Sequence, residues 1–289
     1  MSGKPPRHPP LVSLDSCLPH RNNTQIVDNS TKLNYFVDMS SITQDGTVLR
    51  AKDQFQMNLS TVATPNKPFV GGQTLSGEAS GQLFYWSHSK FERDFEFGLH
   101  HHEGFEIVTY ILEGRNSHFD TATKQWKDLL AGDMQIIFAG SGISHNEKVS
   151  KGSRAFQIWF DPNYFDAVSQ PPHYQDLSFK EIGGDQVSQL KIINLAGPNS
   201  DVMPRTPGLS LTRIQAPLKT SHSFSMDSNK RFVYVIFGVI QHGEHEIKEN
   251  ELLILNSEDN REIQLAEGAD IFVVTLPQNP SYQPVIERR

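Results

Sequence analysis

Short runs of apolar and aromatic residues, separated by turn residues, recur along most of the chain. The clearest run is Phe105–Leu112, whose β-branched and aromatic residues are typical of a buried strand. Near-alternation of phenylalanine with charged residues predicts another strand at Phe91–Phe97. Further strands are predicted at Gln82–Ser87, Met134–Phe138 and Ala155–Phe160. Short strands joined by turns predict an all-β fold of the barrel or sandwich type.

The same pattern returns after a proline-containing connector at residues 161–176. The segments that carry it are Gln189–Leu195, Leu209–Ile214, Arg231–Ile240, Glu251–Leu255 and Asp270–Leu276. From this spacing we predict two similar β-domains in tandem, at residues 31–175 and 176–289.

Proline and glycine predict irregular structure in two places. Residues 1–30 contain several prolines and form the predicted irregular lead-in, before a first plausible strand at Asn34–Met39. Thr64–Gly81 is predicted as a loop for the same reason. The 20 glycines, 17 prolines and 18 phenylalanines favour short strands over a helical bundle, so we expect few and short helices.

Composition and charge limit the class of protein. The 289 residues are 37% hydrophobic and 20% charged, which suits a globular protein with a sizeable core. The net charge is −7 and no basic tract exceeds a pair, so we expect no direct nucleic-acid binding. With no apolar run of roughly 20 residues and no signal-peptide core, we expect a cytoplasmic protein without membrane contacts. Cys17 is the only cysteine, which excludes an intramolecular disulfide and a thiolate metal cluster.

Residues with metal-binding side chains gather in two clusters around the strongest strand. Residues i and i+2 of a strand point to the same face, so His100 and His102 can enter one cavity while His101 faces away. His145 would approach from a later loop, and Glu147 could share its direction if that segment is extended. Three imidazoles and one carboxylate suit one divalent transition metal, namely Fe(II), Mn(II), Ni(II), Cu(II) or Zn(II), with positions left for water or substrate.

Each cluster alone has a plainer explanation. A histidine triplet is also typical of a polar loop. His145 on its own is equally typical of a loop histidine with ordinary hydrogen-bond partners. The triplet is internal and lies between strand signals, so it is not a terminal tag. The two clusters together, separated by a hairpin pattern, favour a metal site. The second half carries His222, His242 and His245 without such spacing, and we expect it to bind no metal.

Three stretches carry longer motifs: His100–Gly114 (HHHEGFEIVTYILEG), Gly132–Gln135 (GDMQ) and Ala139–Glu147 (AGSGISHNE). Their spacing resembles that of the cupin superfamily at His100, His102, Glu106, Gly114, Gly132 and His145. The complete sequences of the three stretches resemble the motifs of the pirin family. Position 103 departs from that family, with Glu where pirins usually carry Arg, and position 101 is His where Pro is common.

The resemblance implies a bicupin, which consists of two tandem cupin-type β-barrels of the jelly-roll-like, double-stranded β-helix kind. In that fold the metal, usually iron, lies in the N-terminal barrel, and the C-terminal barrel is cupin-like without a metal site. The implied ligands are His100, His102, His145 and Glu147. A generic cupin would use Glu106 as the carboxylate, so Glu106 stays an alternative ligand or a neighbour of the ligands.

For function, the resemblance implies a mononuclear Fe(II) dioxygenase acting on a quercetin-like flavonol or another small aromatic chelating substrate. Glu147, or Glu106 if it is not a ligand, would take a proton from the substrate hydroxyl as general base. Four aromatic residues could line an apolar pocket, although core packing is their commoner role: Phe97, Phe105, Phe138 and Trp159.

Two other functions stay open at this point. The first is a non-catalytic, metal- or redox-dependent regulatory protein that binds a transcription factor or a metabolic enzyme. The acidic net charge fits a protein partner better than DNA. The second is a cupin with a different metal and an unrelated small substrate, such as an isomerase.

Overall fold

The computed structural model describes residues 46–56, 62–182, 185–187 and 189–288. The predicted irregular segment 1–30, Cys17 and the predicted strand Asn34–Met39 lie outside these ranges. Within the described ranges, no helix has both the length and the apolar character needed to cross a lipid bilayer.

The described residues form 23 strands and very little helix. In chain order the strands are β1 (Thr47–Leu49), β2 (Phe55–Gln56), β3 (Ala63–Val70), β4 (Leu83–Phe91), β5 (Phe95–Glu96), β6 (His100–His102), β7 (Glu106–Glu113), β8 (Arg115–Asp120), β9 (Trp126–Leu130), β10 (Met134–Phe138), β11 (Ile143–Val149), β12 (Arg154–Phe160), β13 (His173–Leu177), β14 (Asp185–Val187), β15 (Leu190–Ala196), β16 (Ser210–Ala216), β17 (Thr220–Ser223), β18 (Asn229–Phe237), β19 (Val239–His242), β20 (His245–Lys248), β21 (Leu252–Leu255), β22 (Glu262–Leu265) and β23 (Ala269–Pro277). The helices are α1 (Tyr164–Ala167), α2 (Phe179–Ile182) and two 3-10 turns, Ala51–Asp53 and Val285–Arg288. The prediction of an all-β fold with few short helices is confirmed.

These strands build four antiparallel sheets within the described residues. Sheet I has the order β13-β10-β7-β12-β4-β3-β2, and sheet II has the order β5-β11-β8-β9 with β6 also paired to β11. Sheet III has the order β1-β21-β18-β23-β16-β15-β14, and sheet IV has the order β17-β22-β19-β20.

The second half of the chain repeats the strand order of the first. The run β10-β7-β12-β4-β3 of sheet I corresponds to β21-β18-β23-β16-β15 of sheet III. The run β11-β8-β9 of sheet II corresponds to β22-β19-β20 of sheet IV. Each half therefore combines one large and one small sheet, and the predicted tandem of two cupin-type β-barrels is confirmed.

The predicted domain limits, 31–175 and 176–289, stay predictions. Two strands near these limits pair in ways that the sequence did not indicate. Strand β1 pairs with β21 of the second half, with Thr47 opposite Ile254. Strand β13 spans residue 175 and pairs with β10 of the first half.

Strand β7 is largely apolar because both of its faces are covered. Val108, Tyr110 and Leu112 belong to a core shared with sheet III, which includes Phe232, Tyr234 and Phe272. Ile107 belongs to a second core on the opposite face, with Phe84, Phe105, Ile137, Ile143 and Trp159. A strand buried on two sides reads as a continuous apolar run rather than as an alternating one. The interior between sheets I and II, on the second face, is where the metal-binding side chains converge.

Two sequence predictions are wrong in part. The predicted loop Thr64–Gly81 begins inside strand β3, although that strand contains Pro65 and Pro68. The register of β3 against β4 shifts between Asn66 and Phe69, and such an irregularity accommodates prolines that cannot donate to the ladder.

The second error concerns the predicted strand Phe91–Phe97. Strand β4 of sheet I ends at Phe91, and only Phe95–Glu96 of the remainder is a strand, which pairs with β11 in sheet II. Phe91 is nevertheless buried beside Val149, with Phe95 packed against them. Phe91 and Phe95 therefore pack into one small apolar cluster from strands of two different sheets, and not from one continuous strand.

Candidate metal centre

The histidine triplet forms a three-residue strand framed by two glycines. Strand β6 lies between Gly98 and Gly104, whose φ angles of 79° and 73° are left-handed. A Cβ at Gly104 would lie 2.3 Å from the ring of Tyr164, so this position has no room for a side chain. Tyr164 Oη in turn donates a hydrogen bond to Glu103 at 2.9 Å. Glycine is thus required where the chain leaves the small sheet for the large one.

Strand alternation gives the three histidines different environments. His102 is buried and His100 half-buried, while the side chain of His101 is 56% exposed on the opposite face. In the pairing of β6 with β11, His100 lies opposite His145. The structure therefore brings together His100, His102 and His145 and leaves His101 outside the cluster.

The Nε2 atoms of the three histidines converge. His145 Nε2 lies 2.7 Å from His100 Nε2 and 3.0 Å from His102 Nε2. His100 Nδ1–H donates to the Gly98 carbonyl oxygen at 2.9 Å, which leaves the Nε2 atom of a neutral His100 unprotonated. The cluster thus presents ring nitrogens, with free lone pairs, to one point.

These spacings fit a shared metal ion. Imidazole nitrogens bind such ions at about 2.0–2.1 Å, so two of them at right angles around one ion lie about 2.9 Å apart. The observed separations of 2.7 and 3.0 Å bracket that value. Neutral imidazoles with some space for further ligands suit a divalent transition metal.

Burial keeps the cluster in the neutral form that binds metals. Desolvation, followed by the charges of His100 and His101, lowers the pKa of His102 to about 3. Desolvation followed by the charge of His102 also lowers the pKa of His145 well below its usual value. At neutral pH no proton has to leave these two side chains before a metal binds.

Glu147 shares the inner face of β11 with His145. The residue is 8% exposed, and its Oε2 atom lies 3.9 Å from His145 Nε2. Gln157 Nε2 donates to both carboxylate oxygens at 3.1 Å, and Trp159 Nε1 donates to Gln157 Oε1 at 3.2 Å. This chain of hydrogen bonds holds the carboxylate beside the histidines, where it can serve as a ligand or as a base.

Glu106 lies elsewhere and is fully engaged. Its carboxylate accepts hydrogen bonds from Arg205 N at 2.8 Å, Thr206 N at 2.7 Å and Thr206 Oγ1 at 2.6 Å. The residue is 1% exposed, and burial raises the pKa of its carboxyl group against these hydrogen bonds. The even spacing of His102 and Glu106 does not place their side chains on one face, because the chain passes from sheet II to sheet I between them. The structure therefore places Glu147, and not Glu106, beside His145.

Comparison with known proteins identifies a family whose sequence model matches part of this chain. Residues 48–160 match the sequence model of the family described as Pirin. They form a pirin domain. All of the predicted metal ligands and Glu106 fall inside it, and the pirin resemblance read from the sequence is confirmed.

Two curated relatives match parts of the chain. A protein of Zymomonas mobilis, named as a candidate quercetin 2,3-dioxygenase, is 40% identical over 85 residues, which cover 29% of this chain and 36% of that protein. Pirin-like protein 2 of Arabidopsis thaliana is 32% identical over 148 residues, covering 48% of this chain and 44% of that protein. The chain thus spans less than half the length of these two relatives.

A solved structure matches the fold over a longer stretch. Bacterial pirin YhhW of Escherichia coli, in complex with nickel(II), is 20% identical. The comparison covers 80% of this chain and 98% of that chain, with a TM-score of 0.64. The two-barrel fold therefore extends beyond the matched pirin domain.

Sequence reasoning missed two residues of the pirin domain that contact the predicted ligands. His118 on β8 lies with its Nε2 atom 3.0 Å from His145 Nδ1, and Gln157 on β12 holds Glu147. In the register of β8 with β11, His118 is opposite Glu147. Neither residue belongs to the cupin spacing. The pairing of β8 with β11 brings His118 to the site, and Gln157 reaches Glu147 from the other sheet.

The predicted aromatic residues divide between the two roles. In the pirin domain the ring of Trp159 lies 4.8 Å from that of His102 and forms a wall of the site. Phe105 stacks on Phe84 at 4.4 Å within the adjoining core. Phe138 lies under the guanidinium of Arg205. Phe97 is 40% exposed and packs on Phe95 at 5.0 Å.

Proposed function

We propose that this chain is a metal-dependent dioxygenase whose substrate is a quercetin-like flavonol or another small aromatic molecule that chelates a metal. The observation that carries the proposal is the convergence of three imidazole Nε2 atoms beside the oriented carboxylate of Glu147. The name of the Zymomonas relative supports the substrate class. A cytoplasmic location is part of the same proposal.

The proposed metal is Fe(II), with Ni(II), Mn(II), Cu(II) and Zn(II) as alternatives. His100, His102 and His145 would hold it, with Glu147 as the carboxylate ligand. The nickel(II) complex of YhhW supports a divalent ion in a pirin fold. When bound, such an ion supplies a place where dioxygen and a chelating substrate meet.

Side chains of this protein would transfer the proton, orient the carboxylate and exclude water. An oxygen of Glu147 would accept the proton of the substrate hydroxyl, since its carboxylate is buried in the site. Gln157 keeps that carboxylate in one orientation through its two hydrogen bonds. Trp159 would present an apolar surface to an aromatic substrate and exclude water from the histidines.

Oxygen uptake with quercetin tests the proposal. We expect the iron-loaded protein to consume oxygen and the Glu147→Gln variant, at saturating metal, to lose about 10²–10⁴-fold in kcat. Glu96→Gln is the matched control, because this exposed glutamate lies on the neighbouring strand β5 and bonds Asn146. It should retain full activity. Absence of uptake with quercetin and with related flavonols, for every candidate metal, would reject the dioxygenase. Oxidation-dependent binding of a protein partner would then favour the regulatory alternative.

A further inference from the structure

The second barrel repeats one residue of the metal centre. In the first barrel, His118 follows Gly114 by four positions on the strand after β7. In the second, His242 follows Gly238 by four positions on the strand after β18, the counterpart of β7. His242 is completely buried on the inner face of sheet IV. It therefore corresponds to the histidine that lies behind a metal ligand in the pirin domain.

The counterpart of that ligand is an arginine. Strand β22 lies between β19 and β17, and its pairing with β19 continues from Gln241 opposite Gln264 towards His242 and Ile263. Ile263 thus takes the place of Glu147, and Arg261, two residues earlier, takes the place of His145. These replacements remove the metal ligands and introduce a positive charge.

Arg261 and His242 leave polar atoms without partners. Arg261 is 3% exposed, and neither its Nε nor its Nη1 atom has a hydrogen-bond partner; the same holds for His242 Nε2. Only Arg261 Nη2 is engaged, with the carbonyl oxygens of Asn229 at 3.1 Å and Asp227 at 3.5 Å. Burial, and next the nearby Arg231 guanidinium, lowers the pKa of Arg261. An unpaired buried guanidinium is costly, which points to an anionic partner.

Three carboxylates, those of Asp227, Asp259 and Glu258, lie close enough to raise the pKa of Arg261, and Asp227 is already paired with Arg231. Arg231 donates to both carboxylate oxygens of Asp227, at 3.0 and 2.6 Å. Among the described residues, no carboxylate lies within 4.0 Å of an Arg261 nitrogen. Two donors of Arg261, Nε and Nη1, therefore have no partner within the described part of the chain.

The two side chains define the chemistry of that anion. His242 Nδ1–H donates to the Glu262 carbonyl oxygen at 2.8 Å, so the Nε2 atom of a neutral His242 is an acceptor. Glu262 directly follows Arg261 in the sequence. The side chains of His242 and Arg261 project from the same face of the sheet at neighbouring positions. We propose that the second barrel binds a small oxyanion that also carries a hydroxyl group, of which hydrogen phosphate is the simplest. The oxyanion would accept from Arg261, and its hydroxyl would donate to His242 Nε2.

Calorimetric titration of the chelator-treated protein tests this proposal. Metal-free protein is used so that binding of the anion at the histidine cluster is avoided, and the proposed oxygenase activity plays no part in the readout. Inorganic phosphate and sulfate are titrated separately near neutral pH, at constant ionic strength maintained with a bulky sulfonate buffer. The two anions have the same shape, but only phosphate carries a hydroxyl at this pH.

We expect phosphate to bind at least about tenfold more tightly than sulfate, and Arg261→Gln to weaken phosphate binding at least about tenfold. His242→Phe should remove the preference for phosphate over sulfate, and His242→Leu serves if the phenylalanine variant fails to fold. Arg115→Gln is the control, because this exposed arginine is paired with Asp128 in the first barrel. Absence of phosphate binding, equal affinity for both anions, or undiminished binding by Arg261→Gln would each overturn the proposal.

Discussion

In the pirin domain the imidazole of His118 lies directly behind that of His145, with its Nε2 atom 3.0 Å from His145 Nδ1. When His145 Nδ1–H donates this hydrogen bond, His145 Nε2 is left unprotonated and faces the other histidines. Partners behind metal-binding histidines fix the tautomer and the ring orientation. The contact thus makes His118 part of the proposed metal centre although it cannot itself reach the ion through that nitrogen.

Removal of this contact should weaken metal binding. We expect His118→Phe to reduce metal affinity by about 10–100-fold, because His145 then loses the partner that orients it. Affinity is measured by competition with a chelator of known strength. His101→Gln is the control, since His101 is exposed on the other face of β6. Equal affinities for His118→Phe and wild type would show that His145 is oriented by its surrounding packing alone.

Removal of two ligands should abolish metal binding. Elemental analysis of purified protein should give about one transition-metal ion per chain for wild type and none for the His100→Ala/His145→Ala double variant. The matched control is His173→Ala/His245→Ala, which removes two histidines outside the cluster. A wild-type protein that stays empty after reconstitution with iron, nickel, manganese and zinc would contradict the site, and with it the enzyme.

The two candidate carboxylates should respond oppositely to the same substitution. Glu106→Gln places an amide where three donors from Arg205 and Thr206 converge, so we expect a loss of about 2–3 kcal/mol in the free energy of unfolding with unchanged metal affinity. Glu147→Gln should weaken metal binding with a smaller effect on stability. Chemical denaturation and metal competition, measured on both variants, separate the two roles. Weaker metal binding by Glu106→Gln at full stability would instead support Glu106 as a ligand.

The parts of the fold that could be predicted are those in which one local pattern decides the structure. The apolar run at β7 and the i, i+2 spacing of His100 and His102 both depend on neighbours in sequence, and both led to the observed arrangement. The choice between Glu147 and Glu106 as the carboxylate of the proposed site could not be made in this way. Glu106 is an even number of residues from His102, but the turn at Gly104 moves the chain into another sheet.

The supporting residues were out of reach for a related reason. His118 acquires its role from the register of β8 with β11, Gln157 from a contact between sheets I and II, and Arg261 from the register of β19 with β22. These relationships join residues of different strands, which no local pattern reveals. The sequence itself shows that the second half lacks the histidine spacing, and the expectation that it binds no metal stays a prediction. Its buried arginine, however, shows as unpartnered only when all surrounding hydrogen bonds are known.

A buried histidine between the two halves should make the protein sensitive to acid. His88 on β4 lies 3.0 Å from Tyr234 Oη of β18 through its Nδ1 atom. Burial, and next the charge of Arg154, lowers the pKa of His88 to about 3. The unfolded chain therefore takes up a proton near pH 6.5, whereas the folded protein does so only near pH 3, and stability falls as the pH decreases through this window.

We expect this one side chain to account for a loss on the order of 4 kcal/mol in the free energy of unfolding across that window. His88→Gln retains a hydrogen-bonding amide but does not titrate, so its unfolding free energy should fall less steeply with pH than that of wild type. Denaturant titrations at several pH values between 7 and about 4 measure the two slopes. His173→Gln, at an exposed position, should keep the wild-type slope. Identical slopes for His88→Gln and wild type would mean that His88 becomes protonated in the folded protein as readily as in the unfolded chain.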